Sequence, residues 1–129
     1  MTKEILVIDD NLDIRQLISS ILIDQGYIVR GAANFDQALF EINKKLPDVV
    51  IIDVKLDKGD YDGIELLKRL KKIDDEVPAI MISGHANVQM AVDSLKLGAF
   101  EFIQKPFSSE RLLNFLSRAI EYVELKKEK

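Results

Sequence analysis

The chain has 129 residues, of which 47% are hydrophobic and 31% charged, with a formal net charge of −4 and no cysteine. This length predicts one domain with a sizeable core. The negative charge argues against direct binding of nucleic acid or of an acidic membrane surface, and the missing cysteines exclude disulfides and thiolate metal sites. Because we find neither a signal peptide nor a membrane-spanning run, we expect a cytoplasmic protein.

Short apolar runs of strand length recur along the chain. They cover residues 5–8, 27–29, 49–52, 79–82 and 100–103. The first, third and fourth runs are continuously apolar, which is typical of strands covered on both faces by helices.

Segments with helical periodicity lie between and after these runs. The clearest cover residues 14–21, 88–95 and 112–123, and weaker ones cover 35–45 and 64–73. Asn11, Asn34 and Ser108 are candidate N-caps, whereas Gly26 and Gly98 suit helix ends. The alternation predicts an α/β fold with a doubly wound parallel sheet, in which ligands bind beyond the carboxyl ends of the strands.

Polar residues follow the strands at that edge of the sheet. They are Asp9 and Asp10 after the first strand, Asp53 after the third, Ser83 after the fourth, and Lys105 with Pro106 after the fifth. If the first and third strands are neighbours, as in the flavodoxin-like order 2-1-3-4-5, the three carboxylates converge and repel one another. A hard divalent cation would neutralise them, and the incomplete acidic cage favours Mg²⁺.

Lys105 and Ser83 would then complete a site for phosphoryl transfer. A cation and a hydroxyl are suited to holding phosphoryl oxygens, while Asp53 is a carboxylate able to act as nucleophile and become an aspartyl phosphate. Taken singly, each residue has a plainer interpretation as a helix cap, a turn residue or a solvated lysine. Their arrival at one rim from four strand ends favours the joint interpretation.

The motifs as a whole resemble the receiver domains of two-component response regulators, and more narrowly the NtrX-like group of nitrogen regulators. The matching stretches are VIDD at 7–10, IIDVKL at 51–56, DGIELL at 62–67, MISGHA at 81–86 and FIQKPF at 102–107. The resemblance implies a five-stranded CheY-like sheet of order 2-1-3-4-5 with helices on both faces. It also implies that Asp53 accepts a phosphoryl group from a sensor histidine kinase.

The resemblance further assigns roles to individual residues. Asp9, Asp10, Asp53 and the backbone carbonyl of Lys55 would hold Mg²⁺. Ser83 and Lys105 would bind the phosphoryl oxygens. Phe102 would be the aromatic switch residue, and Ser83 and Pro106 would belong to the same switch. The Lys105–Pro106 peptide is usually cis in the family, which aims the lysine inward.

For the whole protein, the resemblance implies a phosphoacceptor switch rather than an enzyme, one that catalyses only its own phosphorylation and slow dephosphorylation. Phosphorylation would alter the surface of the fourth helix, fifth strand and fifth helix, which is the expected homodimer contact. We expect a receiver domain over residues 1–123 and, over 124–129, the start of a linker to an absent or truncated output region that controls transcription.

Other interpretations stay open at this point. A degenerate receiver that acts only as a docking module is one. An aspartate-nucleophile phosphatase is another, although its D-x-D pattern after the first strand does not match Asp9-Asp10-Asn11.

The stretch from Asp53 to Gly63 is longer than in most receivers, as in the NtrX-like group. We expect its further aspartates, Asp57, Asp60 and Asp62, to be solvated turn residues. Lys55 and His85 should flank the path by which water attacks the phosphorus, and Lys55 in particular is a candidate modulator of phosphoryl lifetime.

Overall fold

The structure is a computed structural model that describes residues 2–57, 59, 62–84 and 88–127. Within these residues, strands and helices alternate as predicted. The strands are β1 (Glu4–Ile8), β2 (Ile28–Ala32), β3 (Val49–Asp53), β4 (Ala79–Ser83) and β5 (Glu101–Gln104). The helices are α1 (Leu12–Asp24), α2 (Phe35–Lys44), α3 (Asp62–Ile73), α4 (Val88–Lys96) and α5 (Ser109–Lys127).

The strands form one parallel sheet of order β2-β1-β3-β4-β5, which confirms the predicted topology. In its register Ile8 lies opposite Ile52, so Asp9 and Asp53, the next residue on each chain segment, lie at the same level of adjacent strands. Asp9 and Asp53 are therefore neighbours at the carboxyl ends of β1 and β3.

Two apolar layers cover the sheet, and successive strand residues enter opposite layers. In β1, Leu6 and Ile8 pack on the side of α2 and α3, whereas Ile5 and Val7 pack on the side of α1 and α5. Because both faces are buried, the central strands are apolar at every position, as their continuous runs indicated.

The predicted helix boundaries are confirmed. The side chains of Asn11, Asn34 and Ser108 each accept a hydrogen bond from the backbone N–H three residues on, at 3.2, 2.8 and 3.1 Å. Gly26 and Gly98 adopt φ of 90° and 102°, a left-handed conformation that glycine tolerates at helix ends.

Helix α5 continues past the expected domain boundary at residue 123 and ends at Lys127, the last described residue. Among the helices of the described residues, none is both long and apolar enough to cross a bilayer.

Candidate functional site

Three aspartates converge at the carboxyl ends of β1 and β3. Carboxylate oxygens of Asp9, Asp10 and Asp53 lie within 4.8 Å of one another. Asp9 and Asp53 are 0% and 6% exposed, while Asp10 faces solvent. The predicted convergence is therefore present, with two buried carboxylates and an exposed one at the entrance.

The Asp9 carboxylate is held by the start of α1. The Asn11 backbone N–H donates to Asp9 Oδ1 at 2.9 Å, and the Arg15 guanidinium donates to the Asp9 carbonyl oxygen at 2.8 Å. Asn11 also caps α1, so the residues that begin the helix also orient this aspartate.

Lys105 reaches the same point from the end of β5. Its ammonium nitrogen lies 3.0 Å from Asp9 Oδ2 and 3.1 Å from Asp53 Oδ2. The Lys105–Pro106 peptide is cis, as expected. Burial alone would lower the pKa of Lys105, but the hydrogen bond to Asp9 and the attraction of both carboxylates outweigh burial and raise it. Lys105 is therefore the cationic partner of both carboxylates at neutral pH.

The Asp53 carboxyl has a pKa raised to about 6. Burial is the main cause and repulsion from Asp9 adds to it, whereas Lys105 and the Lys55 backbone N–H act in the opposite direction. At neutral pH this carboxyl is mostly ionised, and it remains a more basic oxygen nucleophile than an ordinary aspartate.

The donor set fits a small hard cation. Among the described side chains that these contacts join, three carboxylates lie near one ammonium group, so these four groups carry a formal excess of two negative charges. Carboxylate oxygens are ligands that Mg²⁺ prefers, and a partial carboxylate cage leaves positions for water and phosphate oxygens. The acidic pocket thus has the composition of a magnesium site.

Ser83 and Phe102 lie at the neighbouring strands. Ser83 is buried at the end of β4, and its carbonyl oxygen accepts from the Lys105 backbone N–H at 2.8 Å. Phe102 is half-buried in β5 and lines a cavity of about 690 Å³ together with Val88, Ala91 and Lys105. His85 lies outside the described residues.

The loop after β3 corrects one expectation. Asp62 is 7% exposed, and its Oδ1 accepts from the Leu56 backbone N–H at 2.5 Å, so its interpretation as a solvated turn residue was wrong. Asp57 is exposed but accepts from the Phe35 N–H at 3.1 Å, at the start of α2. Asp60 lies outside the described residues.

Sequence reasoning also missed the role of Gly63. A Cβ at this position would overlap the carbonyl oxygen of Asp53 and lie 2.7 Å from that of Val54. The start of α3 therefore packs directly on the backbone of the candidate acceptor. The signal that could have revealed both residues is the Asp-Gly pair that opens a helical segment soon after a buried strand.

Comparison with known proteins identifies a family and relatives for this chain. The family described as "Response regulator receiver domain" matches residues 5–117. The nitrogen assimilation regulatory protein NtrX of Azorhizobium caulinodans is 43% identical over 128 residues, which are 99% of this chain and 28% of that protein. The chain thus spans about a quarter of the length of the NtrX relatives it matches.

Solved structures agree with the sequence comparison. The crystal structure of the receiver domain of NtrX from Brucella abortus is 44% identical, with a TM-score of 0.85 over 91% of this chain and 98% of that one. The solution structure of the beryllofluoride-activated NtrC4 receiver domain dimer is 34% identical, with a TM-score of 0.88 over 95% of this chain and 99% of that one. The chain therefore belongs to the response regulator receiver domains of two-component systems, with NtrX and NtrX-like regulators among its relatives.

Proposed function

We propose that Asp53 is the phosphoacceptor of this receiver domain and that Asp9, Asp10, Asp53 and the Lys55 carbonyl hold the Mg²⁺ required for its phosphorylation. The observation that carries the proposal is the meeting of three carboxylates with Lys105 bridging two of them. Burial and repulsion from neighbouring carboxylates disfavour the ionised form of Asp53 unless a cation neutralises the cluster. Such perturbed carboxyl groups are typical of functional sites.

The chemistry follows from the groups present. A carboxylate oxygen of Asp53 attacks the phosphorus of a phosphohistidine on a sensor kinase, the P–O bond forms, and the P–N bond breaks with the electron pair leaving on the imidazole. Lys105 binds the phosphoryl oxygens through its positive charge. The Ser83 hydroxyl binds them by donating a hydrogen bond. When bound, Mg²⁺ supplies the positive charge that offsets carboxylates and phosphoryl oxygens together.

Phosphorylation then changes the surface formed by α4, β5 and α5. Ser83 moves toward the new phosphoryl oxygens, and Phe102 of β5, which lines the same cavity as Pro106, turns inward in response. Val88 is 81% exposed at the start of α4, and Leu95 is also exposed, so this surface offers apolar contacts for a phosphorylation-dependent homodimer. The NtrC4 structure named above is described as a receiver domain dimer.

The output of the full-length protein is transcription regulation. Its support is the similarity to NtrX, which is described as a nitrogen assimilation regulatory protein. The receiver itself catalyses only its own phosphorylation and slow dephosphorylation, and does not bind nucleic acid directly.

Lys55 modulates the lifetime of the phosphoryl group. Its side chain is exposed two residues after Asp53, where a long cation pairs with phosphoryl oxygens and obstructs attacking water. Dephosphorylation of Lys55→Ala should be faster than that of the parent protein, and an unchanged rate measured by loss of phosphoprotein would reject this role. His85 stays a prediction of the same kind.

Mass measurement after incubation with a small phosphodonor tests the acceptor. The parent protein should gain one phosphoryl group with Mg²⁺ and none with a chelator. Asp53→Asn should gain none, whereas Asp57→Asn, a matched change on the neighbouring loop, should behave as the parent. Uptake by Asp53→Asn would move the acceptor elsewhere.

A further inference from the structure

The loop between β3 and α3 is closed at its base by two hydrogen bonds. The Gly63 N–H donates to the Val54 carbonyl oxygen at 2.8 Å, and the Leu56 N–H donates to Asp62 Oδ1 at 2.5 Å. The side chains of Val54 and Leu56 are buried in the core. Lys55, whose side chain is exposed, therefore lies between two anchored residues.

The second hydrogen bond controls the direction of the Lys55 carbonyl. Its C=O and the Leu56 N–H belong to the same peptide unit, which is trans here and planar. In a trans peptide these two groups point in opposite directions. When Asp62 holds the Leu56 N–H on one side, the Lys55 carbonyl oxygen must point to the other side.

We propose that Asp62 is a positioning residue for the magnesium site, acting through the Lys55–Leu56 peptide. This inference rests on the proposed function, because it concerns the carbonyl assigned there as a Mg²⁺ ligand. The buried side chain of Asp62 accepts directly from the Leu56 N–H at 2.5 Å. It replaces the helical or sheet partner that the Leu56 N–H lacks in the loop.

The close packing of Gly63 restricts the backbone of Asp62, the residue before it. The Gly63 α-carbon packs against the backbone of Asp53 and Val54 so closely that no side chain fits. The backbone of Asp62 is consequently pinned beside the acceptor, and its short side chain has few rotamers with which to reach Leu56.

Asp57, the residue after Leu56, accepts from the Phe35 N–H of α2, so this part of the loop is attached to a different element. Asp57 provides a matched control, since it lies in the same loop and also accepts a backbone hydrogen bond.

Calorimetric titration with Mg²⁺ of the intact chain tests the proposal. Asp62→Ala removes the acceptor and should weaken Mg²⁺ binding about tenfold or more, as is usual when a group that orients a metal ligand is lost. Asp62→Asn keeps an oxygen acceptor and should restore most of the affinity. Asp57→Ala should bind Mg²⁺ as the parent does.

Hydrogen exchange in the parent protein gives an answer even if Asp62→Ala does not fold. Because coupling is reciprocal, Mg²⁺ should slow exchange of the Leu56 amide by about the factor by which the hydrogen bond strengthens Mg²⁺ binding. The Phe35 amide, bound to Asp57, should slow less.

The outcomes separate this inference from the proposed function. A parent protein that does not bind Mg²⁺ rejects the proposed function and the inference with it. If the parent binds Mg²⁺, two results each reject the role of Asp62 and leave the proposed function intact. One is parental Mg²⁺ affinity in folded Asp62→Ala. The other is equal slowing of exchange at the Leu56 and Phe35 amides.

Discussion

Two charged clusters in this molecule are built on the same plan and differ in balance. At the amino end of the sheet, Arg30 pairs with Glu4 and Glu41 at 2.9 and 2.8 Å, and Lys45 lies 3.8 Å from Glu4. At the carboxyl end, the ion pairs of the described residues join Lys105 to Asp9 and Asp53, with the Asp10 carboxylate close to both. The first cluster has two positive and two negative side chains, whereas the second has one positive and three negative.

The difference separates a cluster with balanced charges from one with unbalanced charges. Arg30 also donates to the carbonyl oxygens of Glu41 and Lys45, so its planar guanidinium joins β1, β2 and the end of α2 in a closed set of contacts. Lys105 is a compact charge that leaves part of the carboxylate charge unmatched. Burial is the main cause of the raised pKa of Asp53, and repulsion from Asp9 in this unbalanced cluster adds to it.

The largest loss of stability is expected at Gly63, which packs against the backbone of Asp53. Gly63→Ala would push a methyl group into the Asp53 carbonyl oxygen, which should destabilise the fold by about 3 kcal/mol or more. Gly59→Ala, in the same loop with open space around it, should change stability little. Urea denaturation of both variants checks this, and equal stabilities would contradict the close packing.

Breaking the balanced cluster should be the next most costly change. Arg30→Met leaves Glu4 and Glu41, which are 16% and 21% exposed, without their shared cation, and should cost about 2–3 kcal/mol of unfolding free energy. Mg²⁺ affinity should not change. Lys45→Met, at a side chain 71% exposed, should cost about 0.5 kcal/mol or less. Loss of Mg²⁺ binding in Arg30→Met would show that the two clusters are coupled.

Asp53→Asn should raise the unfolding free energy of the metal-free protein, whereas Arg30→Met should lower it. The folded pKa of about 6 lies above the ordinary 3.8, so the folded state binds this proton more tightly. The stability contributed by this group is therefore lost as pH rises from about 4 to about 6. Above pH 6 the parent should be less stable than Asp53→Asn by up to about 3 kcal/mol.

Urea denaturation at pH 4 and pH 7.5 measures this difference. The two proteins should converge at the lower pH, and Mg²⁺ at pH 7.5 should stabilise the parent more than the variant. An equal gap at both pH values would mean that the Asp53 charge does not cause it.

The smallest effect is expected for exposed charge pairs. Lys126 lies 3.8 Å from Glu76, and its ammonium lies 5.5 Å from the ring centre of Tyr122. Lys126→Ala should reduce the unfolding free energy by about 0.5 kcal/mol or less, since solvent screens both contacts. A loss as large as that of Arg30→Met, measured by thermal denaturation, would show that charge balance does not separate these classes.

Local features of the fold could be predicted because their signals lie close together in the chain. The apolar runs mark β1, β3 and β4, whose residues are buried on both faces. The cap at Asn34 needs only a donor three residues later. β2 was the least visible strand, because its residues Arg30 and Gly31 interrupt the apolar pattern at the edge of the sheet.

The partners of buried charges could not be predicted in the same way. Arg30 is 26 residues from Glu4 and 11 from Glu41, and only the pairing of β1 with β2 and the docking of α2 bring them together. Lys3 is likewise buried and paired with Glu124 of α5, almost the whole chain away. Asp62 looked solvated because turns usually are, until the packing of Gly63 placed it inside.

The sequence by itself determined the order of strands and helices and the residue type at each strand end, since apolar periodicity and capping act within a few residues. Only the tertiary structure decided which of two successive aspartates is buried, which two carboxylates share Lys105, and which one accepts from the Leu56 N–H. Those outcomes depend on distances between segments that are far apart in the chain, and it is these distances that control burial, charge repulsion and hydrogen bonding.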